Sequence, residues 1–161
     1  METKDFKFQS IPRKNTPSEV PFYGREQMDS LYLKNKRMFV HHTLIGTVAA
    51  TAANYGTFWI APAKCTVVAV QEVHQAAGSD AGAVTLTVEK LTGTTAPGSG
   101  VSILASTVNL KGTANTVVEP GLTTTIANKN LAKGDRLALV DTGTLTAVDT
   151  VAVVITLRHD F

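Results

Sequence analysis

Regular alternation between apolar and polar residues is the feature that most constrains the fold of this chain. In residues 83–91 every second residue is apolar, which predicts a strand with one buried and one wet face. The apolar members are Val84, Leu86 and Val88, and the polar members are Thr85, Thr87 and Glu89. The same period places Val151, Val153, Ile155 and Leu157 on one face near the C-terminus. A slip of one residue would expose that whole row, so the pattern also defines the strand register.

The composition of residues 41–161 extends this prediction to a whole domain. These residues contain 21 threonines and all but one of the twelve glycines. Threonine and valine branch at Cβ and fit a pleated strand, whereas glycine suits the turns between strands. Weaker strand candidates are 42–50, 56–60, 65–75, 101–110, 115–119 and 136–142. With no helical segment between strands, we expect an all-β, antiparallel two-sheet sandwich of about eight strands, a jelly roll in preference to an immunoglobulin-type order.

Turn chemistry separates the predicted strands. Residues 96–100 (Ala-Pro-Gly-Ser-Gly) form a cluster of residues that interrupt strands. Pro120 and Gly121 suit the central positions of a type II turn, and Lys133-Gly134-Asp135 can reverse the chain before residues 136–142. A body of this size can bury a core without a disulfide or a metal.

Residues 1–40 differ in character and are predicted to form a separate N-terminal arm. They hold eight of the fifteen Lys and Arg, five of the thirteen Asp and Glu, and six of the ten aromatic residues. The arm is therefore about +3, and residues 41–161 are about −1. Such a mixture has too few neighbouring apolar residues to build its own core. Only residues 25–37, with Met28, Leu31 and Tyr32 on one helical face, indicate a short helix.

Aromatic and basic side chains of the arm are predicted to bind a partner, because such side chains commonly anchor protein interfaces. The alternative is that residues 1–40 are a flexible tail that has no function. The predicted arm contacts are Phe6, Phe8, Arg13, Lys14, Phe22, Tyr23, Arg25, Tyr32, Arg37 and Phe39.

Several classes of protein are disfavoured by the sequence. The lone Cys65 cannot form an internal disulfide, and no apolar run reaches the roughly 18 residues of a membrane-spanning helix. The polar N-terminus lacks the apolar centre of a secretory signal. A net charge of +2 is too small to predict nucleic-acid binding. We therefore expect a soluble protein with neither membrane nor nucleic-acid partners.

The histidine and cysteine residues, whose side chains could act in catalysis or bind a metal, do not form a recognisable catalytic or metal-binding motif. His41 and His42 project to opposite faces of a strand, which makes them a poor chelating pair. His74 and His159 are single residues on candidate strands, and each is expected to be a surface or hydrogen-bonded histidine. Cys65 follows Lys64, but it opens an apolar strand and is expected to be buried and inert.

The aspartates leave one metal alternative open. Asp135, Asp141 and Asp149 lie near presumed turns at one end of two strands, where loop oxygens could bind calcium. Their spacing matches no dedicated binding loop, and aspartates in turns commonly cap their own backbone. The sequence therefore predicts no enzyme, no catalytic residues, no metal site and no cofactor.

The aromatic residues Phe58 and Trp59 form a candidate interface. As neighbours in a strand they would face opposite ways, so that one enters the core while the other meets another subunit. An exposed tryptophan beside Tyr55 could instead stack on sugar rings, as in a carbohydrate-binding module.

Four segments resemble small virion proteins of tailed bacteriophages. They are residues 56–62 (GTFWIAP), 88–98 (VEKLTGTTAPG), 110–115 (LKGTAN) and 131–137 (LAKGDRL). The resemblance is to auxiliary capsid proteins, namely decoration, cement or head-fibre-base proteins, and it does not include the arm. It implies a β-sandwich homotrimer on the outer capsid surface, made in the host cytoplasm, with the major capsid protein and another head-fibre or decoration protein as partners.

Two functions from different classes follow from these observations. In the first, the protein decorates or stabilises a capsid, docking through its arm and forming oligomers through its sandwich. In the second, the sandwich is a carbohydrate- or host-surface-binding module, part of a head fibre or receptor-binding component. The binding preference of the purified protein, for empty shells or for sugars and cell envelopes, separates the two.

Overall fold

The computed structural model describes residues 37–44 and 56–160, which form two antiparallel β-sheets packed face to face. The strands are β1 (Arg37–Leu44), β2 (Gly56–Ile60), β3 (Cys65–Val73), β4 (Thr85–Leu91), β5 (Val101–Ser102), β6 (Val108–Asn109), β7 (Asn130–Leu131), β8 (Arg136–Thr142) and β9 (Val151–His159). One short helix, α1 (Ile126–Lys129), precedes β7. The all-β sandwich predicted from the sequence is confirmed.

The order of the strands is that of a jelly roll. One sheet has the order β1-β9-β3-β7, and the other has the order β2-β8-β4-β5, with β6 also paired to β4. The pairs nest around the middle of the chain: β1 with β9, β2 with β8, β3 with β7, and β4 with β5 and β6. A double sheet of eight strand positions with such long-range pairing defines the jelly roll.

The last strand lies at the centre of its sheet and supplies much of the core. β9 pairs along its length with β1 and with β3. Its predicted apolar row is confirmed, since Val151, Val153, Ile155 and Leu157 are all buried. Each such side chain contributes about 1.5–3 kcal/mol when it is removed from water. The core is therefore built from the pattern that the sequence shows most clearly.

β4 confirms the predicted buried face but not the predicted wet one. Val84, Leu86 and Val88 are buried, as expected. Glu89 is also buried, and its carboxylate accepts hydrogen bonds from the backbone N–H groups of Gly98 and Gly100, at 2.8 and 3.1 Å, which offset the cost of desolvation. The loop after β4 folds over this face and shields Glu89 from solvent. The alternation of residues within a strand cannot predict that a loop will cover one of its faces.

Some predicted element bounds differ from the structure. The predicted strand at 101–110 is two short strands, β5 and β6, separated by an irregular segment. Residues 115–119 form no strand and make a single bridge, between Val118 and Glu72. Of the candidate 42–50, residues 42–44 belong to β1 and 45–50 lie outside the described residues.

The turn predictions are partly confirmed. The N–H of Ser99 bonds to the carbonyl of Ala96 at 3.1 Å, and the N–H of Asp135 bonds to that of Ala132, also at 3.1 Å. The predicted strand-interrupting cluster therefore contains a turn, and the predicted chain reversal at 133–135 is present. The type II turn at Pro120-Gly121 is wrong, because Gly121 lacks the required positive φ. Its segment is fixed instead by a hydrogen bond from the N–H of Ala105 to the Gly121 carbonyl, at 2.8 Å.

Candidate functional site

Most of the predicted arm contacts lie outside the described residues. These are Phe6, Phe8, Arg13, Lys14, Phe22, Tyr23, Arg25 and Tyr32, together with nearly all of the predicted helix at 25–37. Arg37 and Phe39 are described, and both belong to β1. The strand thus begins four residues before the predicted start of the sandwich at residue 41.

Arg37 and Phe39 point outward from β1, whereas their neighbours point into the sandwich. Val40 is buried and Met38 packs against the core, while Phe39 is 68% exposed. β1 pairs with β9 on one side, and no other described strand pairs with its second side. Arg37, the first residue of β1, therefore lies on a sheet edge, and the aromatic side chain of Phe39 is exposed to solvent on the same strand.

Phe58 and Trp59 both pack against the core, so the prediction that they face opposite ways is wrong. The register of β2 against β8 shifts between Thr57 and Trp59, which makes Phe58 the extra residue of a β-bulge. A bulge inserts one residue and interrupts the strict alternation of side chains. Both side chains remain partly exposed, and they line the edge strand of the second sheet.

A ring contact joins the two edge strands. The imidazole of His42 in β1 stacks on the ring of Phe58 in β2, with centroids 5.0 Å apart and an interplanar angle of 18°. Burial, followed by the charge of His41, lowers the pKa of His42. The stack therefore takes place with a predominantly neutral imidazole at pH 7, and β1 and β2 border the same side of the sandwich.

Glu72 and His74 form a pair inside the protein, both fully buried. The Nδ1 atom of His74 lies 2.9 Å from Oε1 of Glu72, and its Nε2 atom lies 3.2 Å from the Gly112 carbonyl oxygen. The backbone directly after β3 also binds the loop, since the N–H of Asn115 bonds to the His74 carbonyl at 2.7 Å. The expectation of a hydrogen-bonded histidine is confirmed, and the pair fastens residues 112–118 to the sandwich.

Cys65 is buried, as the sequence predicts. Burial, aided by the charges of Asp160 and Asp135, raises the pKa of its thiol to about 11. A thiol is a strong nucleophile only as the thiolate. At neutral pH this side chain is therefore an apolar filler and a weak nucleophile.

The three aspartates proposed as calcium ligands do not come together. Asp135 and Asp141 lie at opposite ends of β8, and Asp135 caps its own turn by accepting from the N–H of Ala132 at 2.9 Å. Asp149 accepts from the hydroxyl of Thr150 at 2.9 Å. Within residues 37–44 and 56–160, no group of three or more metal-ligating side chains is present. In the same ranges, no helix is long and apolar enough to cross a membrane.

Asp141 has a different environment from the other two. Its carboxyl is buried, and among the described residues its Oδ2 atom has no hydrogen-bond partner. Burial raises the pKa of Asp141, and a hydrogen bond from its own backbone only partly offsets this. The predicted strand at 136–142 already includes Asp141, but the residue pattern does not reveal that this carboxyl is buried, because its burial depends on segments distant along the chain.

Basic side chains collect where β9 ends and β8 begins. Lys90 donates to the carbonyl oxygens of Asn130 and Ala127, at 2.6 and 3.0 Å, and Arg136 donates to those of Thr95 and Gly93, at 2.7 and 3.0 Å. These two cations hold α1 and the loop after β4 in place.

Asp160 closes the same end of the sandwich. It accepts a hydrogen bond from the Thr66 hydroxyl and another from Nε of Arg158, at 3.2 Å. Partial burial would raise its pKa, but these two hydrogen bonds and the charges of Arg158 and Lys64 outweigh that effect and lower the pKa of Asp160.

Comparison with known proteins shows likeness in structure only. The chain matches no protein-family model and no curated protein sequence. A chain of the cyanophage Pam1 capsid asymmetric unit matches with a TM-score of 0.55 and 15% identity, over 93% of this chain and 100% of that chain. A chain of the capsid of Ralstonia phage GP4 matches with a TM-score of 0.56 and 13% identity, over 78% of this chain and 86% of that chain. At these identities the likeness establishes a shared fold.

Proposed function

We propose that this protein is a structural component of a bacteriophage virion that binds to the capsid and decorates or stabilises it. The observation that carries the proposal is the likeness to a chain of the cyanophage Pam1 capsid asymmetric unit, which covers nearly all of this chain and all of that one. The two chains are therefore similar in length, as expected for a small capsid-associated protein. The GP4 capsid chain supports the same assignment.

The chemistry of the buried polar groups supports a structural, non-enzymatic role. His74, whose ring could act as a base, has both nitrogens hydrogen-bonded inside the protein. Cys65 is buried with a raised pKa. These residues are used to hold the sandwich together, and a nucleophile needs access and an adjacent base.

Docking is proposed to use the arm, and the sandwich is proposed to form a homotrimer. Three arms on one trimer turn later contacts into intramolecular events, so that weak individual contacts add up to firm retention. Phe58 and Trp59 are the proposed subunit contacts, because they combine partial exposure with support from the core. The proposed location is the outer capsid surface, with the major capsid protein as partner and synthesis in the host cytoplasm.

The decisive experiment compares the full chain with residues 37–161. The cut is placed before Arg37 because β1 starts there and Met38 packs against the core. We expect both proteins to be folded and trimeric by light scattering at micromolar concentration. Only the full chain should co-sediment with DNA-free shells of the phage that encodes it. Equal retention of the shortened protein would refute docking by the arm, and a full chain that does not bind shells would refute the proposed function.

A carbohydrate-binding role is the weaker candidate. It would need a flat aromatic surface open to solvent, and the aromatic pair considered for it, Phe58 and Trp59, is engaged with the core. Binding of the full chain to glycans or cell envelopes, without binding to shells, is the result that would favour this role.

A further inference from the structure

The sandwich has two ends that differ strongly in charge. The first, the basic end, contains the loops after β2 and β4, α1 with the turn after β7, the start of β1 and the end of β9. The second, the acidic end, contains the loops after β3, β6 and β8. The nine residues of β9 separate the ends by about 26 Å at 3.3 Å per residue. This exceeds the screening length of about 8 Å at physiological salt, so the two ends act independently on a charged partner.

The formal charges of the described residues divide almost completely between these ends. The basic end has seven cations and three carboxylates, a formal charge of +4, whereas the acidic end has one cation and five carboxylates, a formal charge of −4. The basic-end cations are Arg37, Lys64, Lys90, Lys129, Lys133, Arg136 and Arg158. The acidic-end carboxylates are Glu72, Asp80, Glu119, Asp141 and Asp149, and Lys111 is the cation there.

The three carboxylates at the basic end accept hydrogen bonds from other groups of the protein. Glu89 accepts from two backbone N–H groups, Asp135 caps a turn and lies 3.6 Å from Nζ of Lys90, and Asp160 accepts from Thr66 and Arg158. These negative charges are therefore already paired with donors inside the molecule.

Several basic-end cations, in contrast, have no such partner within the described part of the chain. The side chains of Arg37, Lys129 and Lys133 make no hydrogen bond or ion pair there, and Lys64 acts on Asp160 only through its charge, without a hydrogen bond or a close ion pair in the described residues. Arg37 also lies directly opposite Arg158 in the pairing of β1 with β9, and like charges placed opposite each other destabilise a sheet. An acidic partner would relieve this repulsion.

Four of the six large apolar side chains exposed in residues 37–44 and 56–160 lie at the basic end, and the other two, Val117 and Val118, lie in the loop after β6. Phe39, Ile60, Val101 and Ile126 are 68, 60, 45 and 68% exposed. Ile60 pairs with Arg136, Val101 pairs with Lys90, and Ile126 begins the helix that ends at Lys129. Apolar anchors among charged groups are the composition of a protein-binding surface, whereas a site for nucleic-acid phosphates would need the cations alone.

Residues 1–36, which lie outside the described residues, join the sandwich at this end. Residues 1–36 precede Arg37 and contain seven Lys or Arg and five Asp or Glu, so that they are also positive. Residues 1–36 and the basic end therefore carry net charge of the same sign. Charge complementarity then disfavours the arm as the occupant of this surface and favours an acidic partner.

We infer that the basic end faces the capsid and docks on an acidic, partly apolar surface of a shell protein, with the acidic end turned towards solvent. This inference rests on the proposed function and adds to it the orientation of the sandwich and the chemistry of its partner. Complementary charge speeds association and fixes the orientation, and the exposed apolar residues supply contacts that salt does not screen.

Two matched charge-reversal variants of the full chain test the inference. The first is Lys64→Glu/Lys129→Glu/Lys133→Glu at the basic end. The second, a control whose charge change is equal in size and opposite in sign, is Asp80→Lys/Glu119→Lys/Asp149→Lys at the acidic end. Circular dichroism and light scattering establish that each variant keeps the fold and oligomeric state of the wild type. Binding to DNA-free shells of the encoding phage is then measured by co-sedimentation at several salt concentrations.

We expect the basic-end variant to bind at least about tenfold more weakly than the wild type, and the acidic-end variant to bind within about twofold of it. Wild-type binding should also weaken as salt is raised. If the wild type binds shells and the basic-end variant binds them equally tightly, the inferred orientation is overturned, but the proposed function is not contradicted. A wild type that ignores shells would overturn both. Comparable salt-dependent binding to a DNA duplex or to anionic lipid vesicles would overturn the choice of a protein partner.

Discussion

The close approach of two loops at the acidic end permits a sharp test of the packing. Gly143 follows β8 with a φ of +86°, and a Cβ atom there would overlap the carbonyl oxygen of Ala83. The same Cβ would lie 3.1 Å from the carbonyl carbon of Ala83 and 3.4 Å from Cα of Val84. All three are backbone atoms next to β4, so they cannot rotate away as a flexible side chain would. Gly143→Ala must therefore displace one of the two loops.

Gly134→Ala is the matched control for that change. Gly134 has a φ of +90°, yet a Cβ there would meet no atom within 4 Å. Left-handed backbone costs a non-glycine residue about 1–2 kcal/mol, which applies to both variants. Overpacking adds about 1–3 kcal/mol at Gly143 alone. We expect Gly134→Ala to lower the free energy of unfolding by about 1 kcal/mol and Gly143→Ala by about 3–4 kcal/mol.

Urea unfolding, followed by the fluorescence of the single tryptophan, Trp59, measures both losses. With a denaturant slope of about 1–3 kcal/mol per molar, the extra loss moves the midpoint of Gly143→Ala well below that of Gly134→Ala. If the two variants lost stability equally, the close approach of Gly143 to Ala83 would have no energetic meaning, and the reasoning from backbone contacts would be refuted.

Two further predictions concern buried ionisable groups. His74→Leu leaves the Glu72 carboxylate buried without its partner and should lower the free energy of unfolding in urea by about 3–5 kcal/mol. Adding Glu72→Leu to that variant should recover part of the lost stability. If the two substitutions instead lowered stability additively, a direct interaction between the side chains would be contradicted. Asp141→Asn should stabilise the protein by about 1 kcal/mol at pH 7, because a folded-state pKa raised above the unfolded value means that the ionised carboxylate opposes folding there. As pH falls through that raised pKa towards about 4, the wild type takes up its proton and the advantage should vanish, so a gain that persists at pH 3 would disprove the electrostatic cause.

The capsid assignment and the two ends of the sandwich give one physical picture. At the basic end, Arg37, Lys129 and Lys133 have no hydrogen-bond or ion-pair partner among the described residues, and four of the six exposed large apolar side chains lie there. At the acidic end, the loops contact one another at Gly143 and through the Glu72–His74 pair. On the proposed function, the first end binds the shell.

The alternation of residues was sufficient to predict the sheets. Val151, Val153, Ile155 and Leu157 are buried in the structure because side chains alternate across a strand, which is a local property of the backbone. The turns at residues 96–100 and 133–135 were predictable for the same reason, since proline and glycine fix the local dihedral angles. Nested pairing of β1 with β9 was expected only as a jelly-roll preference, because pattern alone does not specify which strands meet.

The sequence by itself determined that this chain folds as an all-β sandwich with buried aliphatic rows, since those features depend on neighbours along the chain. The tertiary structure decided which polar residues lie inside: Glu89 under the loop after β4, and Glu72 beside His74 against Gly112. It also decided that Phe58 occupies a bulge and that the cations gather at one end. Burial and charge depend on groups brought close from distant parts of the chain, and only the folded arrangement of the strands sets those distances.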